Sequence, residues 1–173
     1  KNGVDIKLYA LGEDISPVVP ITPDSKPKSV GKSITCGKDF TNNEEVWQAF
    51  LSFAETISTT LRQYNLYASG VQVHIRTSSL AVKEFSFTHK TATNSALVLA
   101  RRGFDLFCKN YTFSEPLRSV GLRAIGLKEN EVAVQQDIFG ECDNEAYNDM
   151  VEDSIYKVRQ KFGTDSIKRG RIL

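Results

Sequence analysis

The sequence predicts an α+β domain: four strands in β-α-β-β-α-β order form one mainly antiparallel sheet, with two helices on one face and a helical tail at the C-terminus. Three observations carry this prediction. Two long segments repeat apolar residues every three or four positions, as a helix with one buried face does. Four shorter segments alternate apolar and polar residues, as half-buried strands do. The length of 173 residues leaves room for one domain of ordinary size plus additional chain.

In chain order, the stretch from Gly12 to Pro23 holds three of the five prolines, which remove ladder donors and keep a chain extended. Residues 1–25 are therefore assigned to the end of a preceding unit and a linker. The first strand covers Ser29 to Cys36, with Val30, Ile34 and Cys36 on one parity and Lys32 interrupting that set. Thr41 or Asn42 caps a helix starting near Glu44, whose stripe is Trp47, Phe50, Leu51, Ala54, Ile57, Leu61 and Tyr64. Val71, Val73 and Ile75 mark the inner side of the second strand, and Phe85, Phe87 and His89 that of the third. A second helix runs from Asn94 to about Asn110 with Leu97, Ala100, Phe104, Phe107, Cys108 and Tyr111 as its stripe. A fourth strand, Leu117 to Leu127, closes a domain over residues 26–128. Residues 129–142 form a separate peptide segment, and residues 143–173 a tail whose helix, Glu145 to Lys161, stops at Gly163.

A hydrophobic fraction of 40% with a net charge of only +1 excludes a disordered chain, and 10 Phe, 6 Tyr and 1 Trp supply bulk for a core. No apolar run approaches the ~20 residues of a membrane span, and the start has no signal-peptide pattern, so a soluble, cytoplasmic, monomeric protein with no membrane contact is expected. Cys36, Cys108 and Cys142 are odd in number and far apart, which argues against a disulfide framework, and with only His74 and His89 beside them no metal site is expected.

Charge is unevenly placed. Residues 26–127 carry 13 Lys and Arg against 7 Asp and Glu, whereas residues 1–25 carry 2 against 4 and residues 128–173 carry 7 against 10. A basic middle between acidic ends suits a polyanion partner. With both helices on one face of the sheet, strand parity leaves Ser29, Ser33, Thr35, Gln72, His74, Arg76, Ser86, Thr88, Lys90, Ser119 and Arg123 on the other, with Glu84 the single carboxylate there. Hydroxyls and cations on a sheet suit contact with nucleic-acid phosphates, which carries no sequence selection.

The segments Gly12-Glu13-Asp14-Ile15-Ser16-Pro17-Val18, Lys28-Ser29-Val30-Gly31-Lys32-Ser33-Ile34-Thr35 and Arg118-Ser119-Val120-Gly121-Leu122-Arg123 occur in that order. Together they resemble the C-terminal part of Y-family DNA polymerases, the bacterial DinB/UmuC lesion-bypass enzymes, from the end of the thumb through the little finger to the tail. The resemblance implies a little finger whose sheet docks in the DNA major groove beside the primer and template backbones. It implies DNA contacts from the first-strand segment Ser29 to Thr35, with Ser29, Lys32, Ser33 and Thr35, and from Arg118 and Arg123 on the last strand; strand parity adds His74, Arg76, Thr88 and Lys90 on the middle strands as DNA contacts. Parity sets Arg118 and Arg123 on opposite faces of an ideal strand, so either a bulge intervenes or one of them misses the DNA; Arg123 is assigned to the face and Arg118 to the strand's edge. The family's palm carboxylates, which hold magnesium for phosphoryl transfer, lie upstream of anything in this chain, so no catalytic residue and no cofactor are expected in it.

Gln135-Gln136-Asp137-Ile138-Phe139 looks like the bacterial peptide that binds the replication sliding clamp, with Ile138 and Phe139 as pocket anchors and Gln135 at the rim. Gln136 stands where that pattern more often has Leu. Lys161-Phe162-Gly163 followed by Ser166-Ile167-Lys168-Arg169-Gly170 resembles the ending of the Gram-positive branch of these polymerases, and leaves two docking places open for the tail helix: the clamp-peptide region or the catalytic core. Two rival readings use the same element order. An RNA-recognition module would turn Phe85 and Phe87 outward to stack bases, and a non-catalytic assembly or regulatory module would use neither the basic segment nor the peptide.

Overall fold

A computed structural model of the chain describes residues 2–14, 17–18, 26–129, 142–163, 166–167 and 170. Helix α1 (Asn2–Ala10) precedes β1 (Val30–Phe40), α2 (Asn43–Gln63), β2 (Leu66–Thr77), β3 (Val82–Thr93), α3 (Ala96–Asn110), β4 (Leu117–Glu129) and α4 (Cys142–Phe162). The sheet order is β1-β4-β2-β3 and all neighbouring strands are antiparallel. This order interleaves two split β-α-β units: β4 lies between β1 and β2, which α2 connects, and β2 lies between β3 and β4, which α3 connects. The α+β class and the β-α-β-β-α-β order expected from the sequence are both present.

Local chemistry explains where the helices begin. The Asn42 side chain accepts from the Glu45 N–H at 3.0 Å, and the Glu45 carboxylate accepts from the Thr41 N–H at 2.7 Å, so two donors at the start of α2 are satisfied reciprocally. Helix α3 is capped by Ser95 and starts at Ala96, two residues after the expected start at Asn94, and has no acid in its own first turn. Its acid comes from α4: Glu152 accepts from the N–H groups of Ala96 and Leu97 at 2.8 and 3.2 Å.

The core lies between the sheet and α2/α3. Phe50, Phe107, Ile57, Leu61, Ile75, Leu117, Leu122, Val71, Val73 and Val120 are all buried there. Phe107 is its aromatic hub, with ring centroids of Phe50, Phe104, Tyr111 and Phe113 between 5.6 and 6.4 Å away. On α3 the buried side is Ala96, Leu99, Ala100, Gly103 and Phe107, slightly rotated from the expected stripe, and Cys108 is exposed. Gly103 explains the rotation. A Cβ there would lie 2.5 Å from Cδ1 of Leu122, so the absent side chain lets α3 come down onto β4. On α2, Val46 and Phe53 join the core while Tyr64, past the last turn, is exposed. Strands β1 and β3 are the sheet edges, and their helix-side residues Ile34 and Phe87 are 48% and 52% exposed, beyond the cover of the two helices.

The tail helix packs against the helix layer of the domain. Helix α4 contacts the helix layer through Glu152 at the start of α3, through Arg62 beside Glu152 and Asp153, and through Arg159, which donates to Glu55 at 3.1 Å. Glu152 and the Arg62 side chain are both more than nine-tenths buried. Gln135, Ile138 and Phe139, the residues expected to bind the clamp, and most of the proline-rich stretch lie outside the described residues.

Candidate nucleic-acid interface

The sheet face away from α2 and α3 is organised in three cross-strand rows. Directly opposed residues in antiparallel strands share a face. Reading β1, β4, β2 and β3 across, the rows are Gly31, Arg123, Gln72 and Ser86; then Ser33, Gly121, His74 and Glu84; then Thr35, Ser119, Arg76 and Val82. Every alternate row belongs to the core, as Lys32, Leu122, Val73 and Phe85 illustrate. The twelve positions of the open rows hold no Phe, Tyr or Trp and one carboxylate.

Two of the expected contact residues are drawn away from this face and two sit at its margins. Lys32 shares its row with buried Leu122 and Val73, and its Nζ donates to Oγ1 of Thr56 on α2 at 3.2 Å, so its ammonium is on the helix side. The residue that broke the apolar parity does so because a long side chain snorkels out at the sheet's edge. Arg118 is the extra residue of a bulge: Arg76 faces Ser119 and the next residue, Thr77, faces Leu117. That bulge buries Leu117 completely and sets Arg118 at the strand's edge, 3.4 Å from Asp39. Thr88 is exposed opposite Gly70. Lys90 falls in a slip where β3 runs from Thr88 to Thr93 while β2 runs only from Gly70 to Ala68, so alternation does not set its direction. Ser29, Ser33, Thr35, His74, Arg76 and Arg123 lie on the open face or at its rim.

The face is concave at its centre. A depression of about 410 Å³ is floored by Gly31 and Gly121 and edged by Ser29, Ser33, Arg123 and His74. The glycines are what keep it open: a Cβ on Gly121 would stand 2.8 Å from that of Ser33, and one on Gly31 would touch the Arg123 side chain at 3.0 Å. Neither glycine was an expected site residue, although glycine in a strand interior is the sequence signal of a close approach. Across the floor runs a hydrogen-bonded chain. Arg123 Nη1 lies 3.4 Å from Gln72 Oε1, Gln72 Nε2 donates to Glu84 at 3.2 Å, and the other Glu84 oxygen meets His74 Nδ1 at 3.2 Å.

The second histidine takes no part. Burial lowers the pKa of His89, Arg102 lowers it further, and Asp105 opposes them, which favours the neutral form of a ring packed edge-on against Phe87 at 4.8 Å. Burial likewise holds the Cys36 thiol above its usual range, with Asp39 adding to the effect, so it is not a poised nucleophile. Among the described residues no three His, Cys, Asp or Glu side chains converge as a metal site requires, and no described helix is long and apolar enough to cross a membrane.

Comparison with known proteins identifies the domain that carries this face. The model of the impB/mucB/samB family C-terminal domain matches residues 27–138. The chain belongs to that family. Its curated relatives are bacterial enzymes named DNA polymerase IV: one from Acetivibrio thermocellus is 28% identical over the whole chain, and one from Clostridium kluyveri is 30% identical over the whole chain. A DNA polymerase IV 1 from Bacillus subtilis is 28% identical over 99% of it. The chain spans 41–44% of the length of these three relatives. Among solved structures, a Y-family DNA polymerase chimera superposes with a TM-score of 0.49 at 13% identity, over 75% of this chain and 36% of that one. The residues matched by the family model take in both the sheet and part of the segment that follows it.

Proposed function

We propose that this impB/mucB/samB domain is the little finger of a lesion-bypass DNA polymerase and that its open sheet face grips duplex primer–template DNA through the phosphate backbone. The observation that carries the reading is the composition of the three open rows: Arg76, Arg123, His74 and a set of hydroxyls around a glycine floor, with one carboxylate among them. Cations and hydroxyls of this kind hold phosphates without reading base edges, so the grip is indifferent to sequence and a damaged template passes. Glycine floors let a backbone come close to the sheet. The names of the curated relatives support the same reading.

Nucleotidyl transfer itself, with magnesium held by palm carboxylates, is assigned to the part of the enzyme outside this chain. The enzyme works in the cytoplasm as a monomer, and the segment with Gln135, Ile138 and Phe139 tethers it to the sliding clamp, raising its effective concentration at the primer end. For the clamp, Ile138→Ala combined with Phe139→Ala is expected to abolish clamp binding in a pull-down or surface-plasmon assay while duplex affinity is unchanged. Loss of both activities together would contradict an independent tether.

An RNA-binding reading finds no platform, because Phe85 and Phe87 pair with Val73 and Val71 on the helix side and the open rows carry no Phe, Tyr or Trp. The test is binding of the chain to labelled duplexes of unrelated sequence and to a matched RNA hairpin over a range of salt. Equal, salt-sensitive affinity for the duplexes is expected; preference for the RNA would overturn the proposal.

A further inference from the structure

We propose that Glu84 is an internal competitor of DNA phosphate that holds the grip of the open face below its full strength. The inference rests on the duplex-binding reading above. Glu84 is the single carboxylate in the three open rows, and it sits in the central one, opposite His74. Its two oxygens are both engaged, one with Gln72 Nε2 and one with His74 Nδ1, each at 3.2 Å. Gln72 in turn accepts from Arg123 through its Oε1 at 3.4 Å. The amide and imidazole donors at the centre of the face therefore point at a carboxylate, an anion with two acceptor oxygens, in the free protein. A backbone phosphate offers the same acceptors and the same sign of charge.

A duplex that approaches the glycine floor meets two obstacles. The donors of Gln72 and His74 must leave Glu84 before they can serve a phosphate, and the carboxylate that remains repels the phosphates that Arg76 and Arg123 attract. Glu84 is half exposed and stabilises the fold only as a surface cross-strand partner, so an ordinary structural role predicts a small effect on stability and none on DNA affinity. As a competitor it would instead keep binding weak enough for the protein to step along and leave the duplex.

The experiment compares the unaltered chain, Glu84→Gln and Asp105→Asn in titrations against primer–template duplexes of two unrelated sequences at one fixed salt concentration. Asp105 is an exposed carboxylate on α3, on the helix side, and its removal changes the net charge by the same amount. Glu84→Gln is expected to tighten binding to both duplexes about threefold to tenfold, while Asp105→Asn stays within about 1.5-fold of the unaltered chain. Unchanged or weaker binding by Glu84→Gln, or equal tightening by both variants, would overturn the inference while leaving duplex binding in place. If no form binds either duplex at low salt, the duplex-binding reading fails and takes this inference with it.

Discussion

Glu152→Ala is expected to release α4 from the helix layer and to lower the stability of the folded chain by about 1–3 kcal/mol, measured by chemical denaturation. The carboxylate performs two tasks at once. It accepts from the Ala96 and Leu97 N–H groups, which no acid in α3's own first turn can serve, and it stands 3.6 Å from an Arg62 guanidinium whose Nε and Nη2 have no other hydrogen-bond acceptor among the described residues. If α4 stayed in place without Glu152, Arg62 would keep Asp153, but the Ala96 and Leu97 N–H groups and the buried Nε and Nη2 of Arg62 would lose their nearest acceptor, at about 1–3 kcal/mol for each buried donor left unpaired. Lifting α4 is the cheaper response, because water then reaches Arg62 and the start of α3. The loss is therefore limited by how well the rest of α4 holds, which is Asp153 on Arg62, Arg159 on Glu55 and the half-buried Ile155, Tyr156 and Val158. Hydrogen exchange should show α4 losing its protection while β2 and β4 keep theirs. Glu152→Gln, which retains one acceptor without the charge, should fall between. Unchanged stability together with unchanged protection of α4 would show that the cap contributes nothing.

Arg76→Ala combined with Arg123→Ala is expected to weaken duplex binding about tenfold for each residue and equally on all sequences. The slope of log affinity against log salt should become shallower by about 0.9 for each phosphate that the arginines no longer neutralise. Both arginines are exposed on the open face, in the outer two of its three rows, and neither packs in the core, so the variant should fold normally. Weakening confined to one sequence would indicate base readout instead of backbone binding.

Much of this fold is legible in the sequence because its signals are local. The stripes of α2 and α3 and the alternation of Val71, Val73 and Ile75 predict both the elements and the face each buries. Where the reading departs from the structure, the deciding interaction is distant or depends on register. The bulge at Arg118 is foreshadowed by the parity conflict with Arg123, yet its position is set by Leu117 filling the core and by pairing with β2. Lys32 lies on the helix side through its register with Leu122, as its parity with Val30 and Ile34 foreshadows, and only the fold shows that Thr56 of α2, 24 residues away, offers its ammonium a partner. Nothing near Ala96 in the sequence announces that its cap comes from Glu152, 56 residues later. The lone carboxylate at position 84 is visible in the parity count, but its engagement with both Gln72 and His74 follows only from the β2/β3 register.

The central claim, that one face of the sheet holds the DNA, is tested most directly by titrating the isotopically labelled chain with two duplexes of unrelated sequence and following its backbone amide signals. The account predicts the same shifts with both duplexes, concentrated at Gly31 to Thr35, Gln72 to Arg76 and Ser119 to Arg123, with α2 and α3 unaffected. Shifts centred on α2 and α3, or a different set of residues for each duplex, would contradict it.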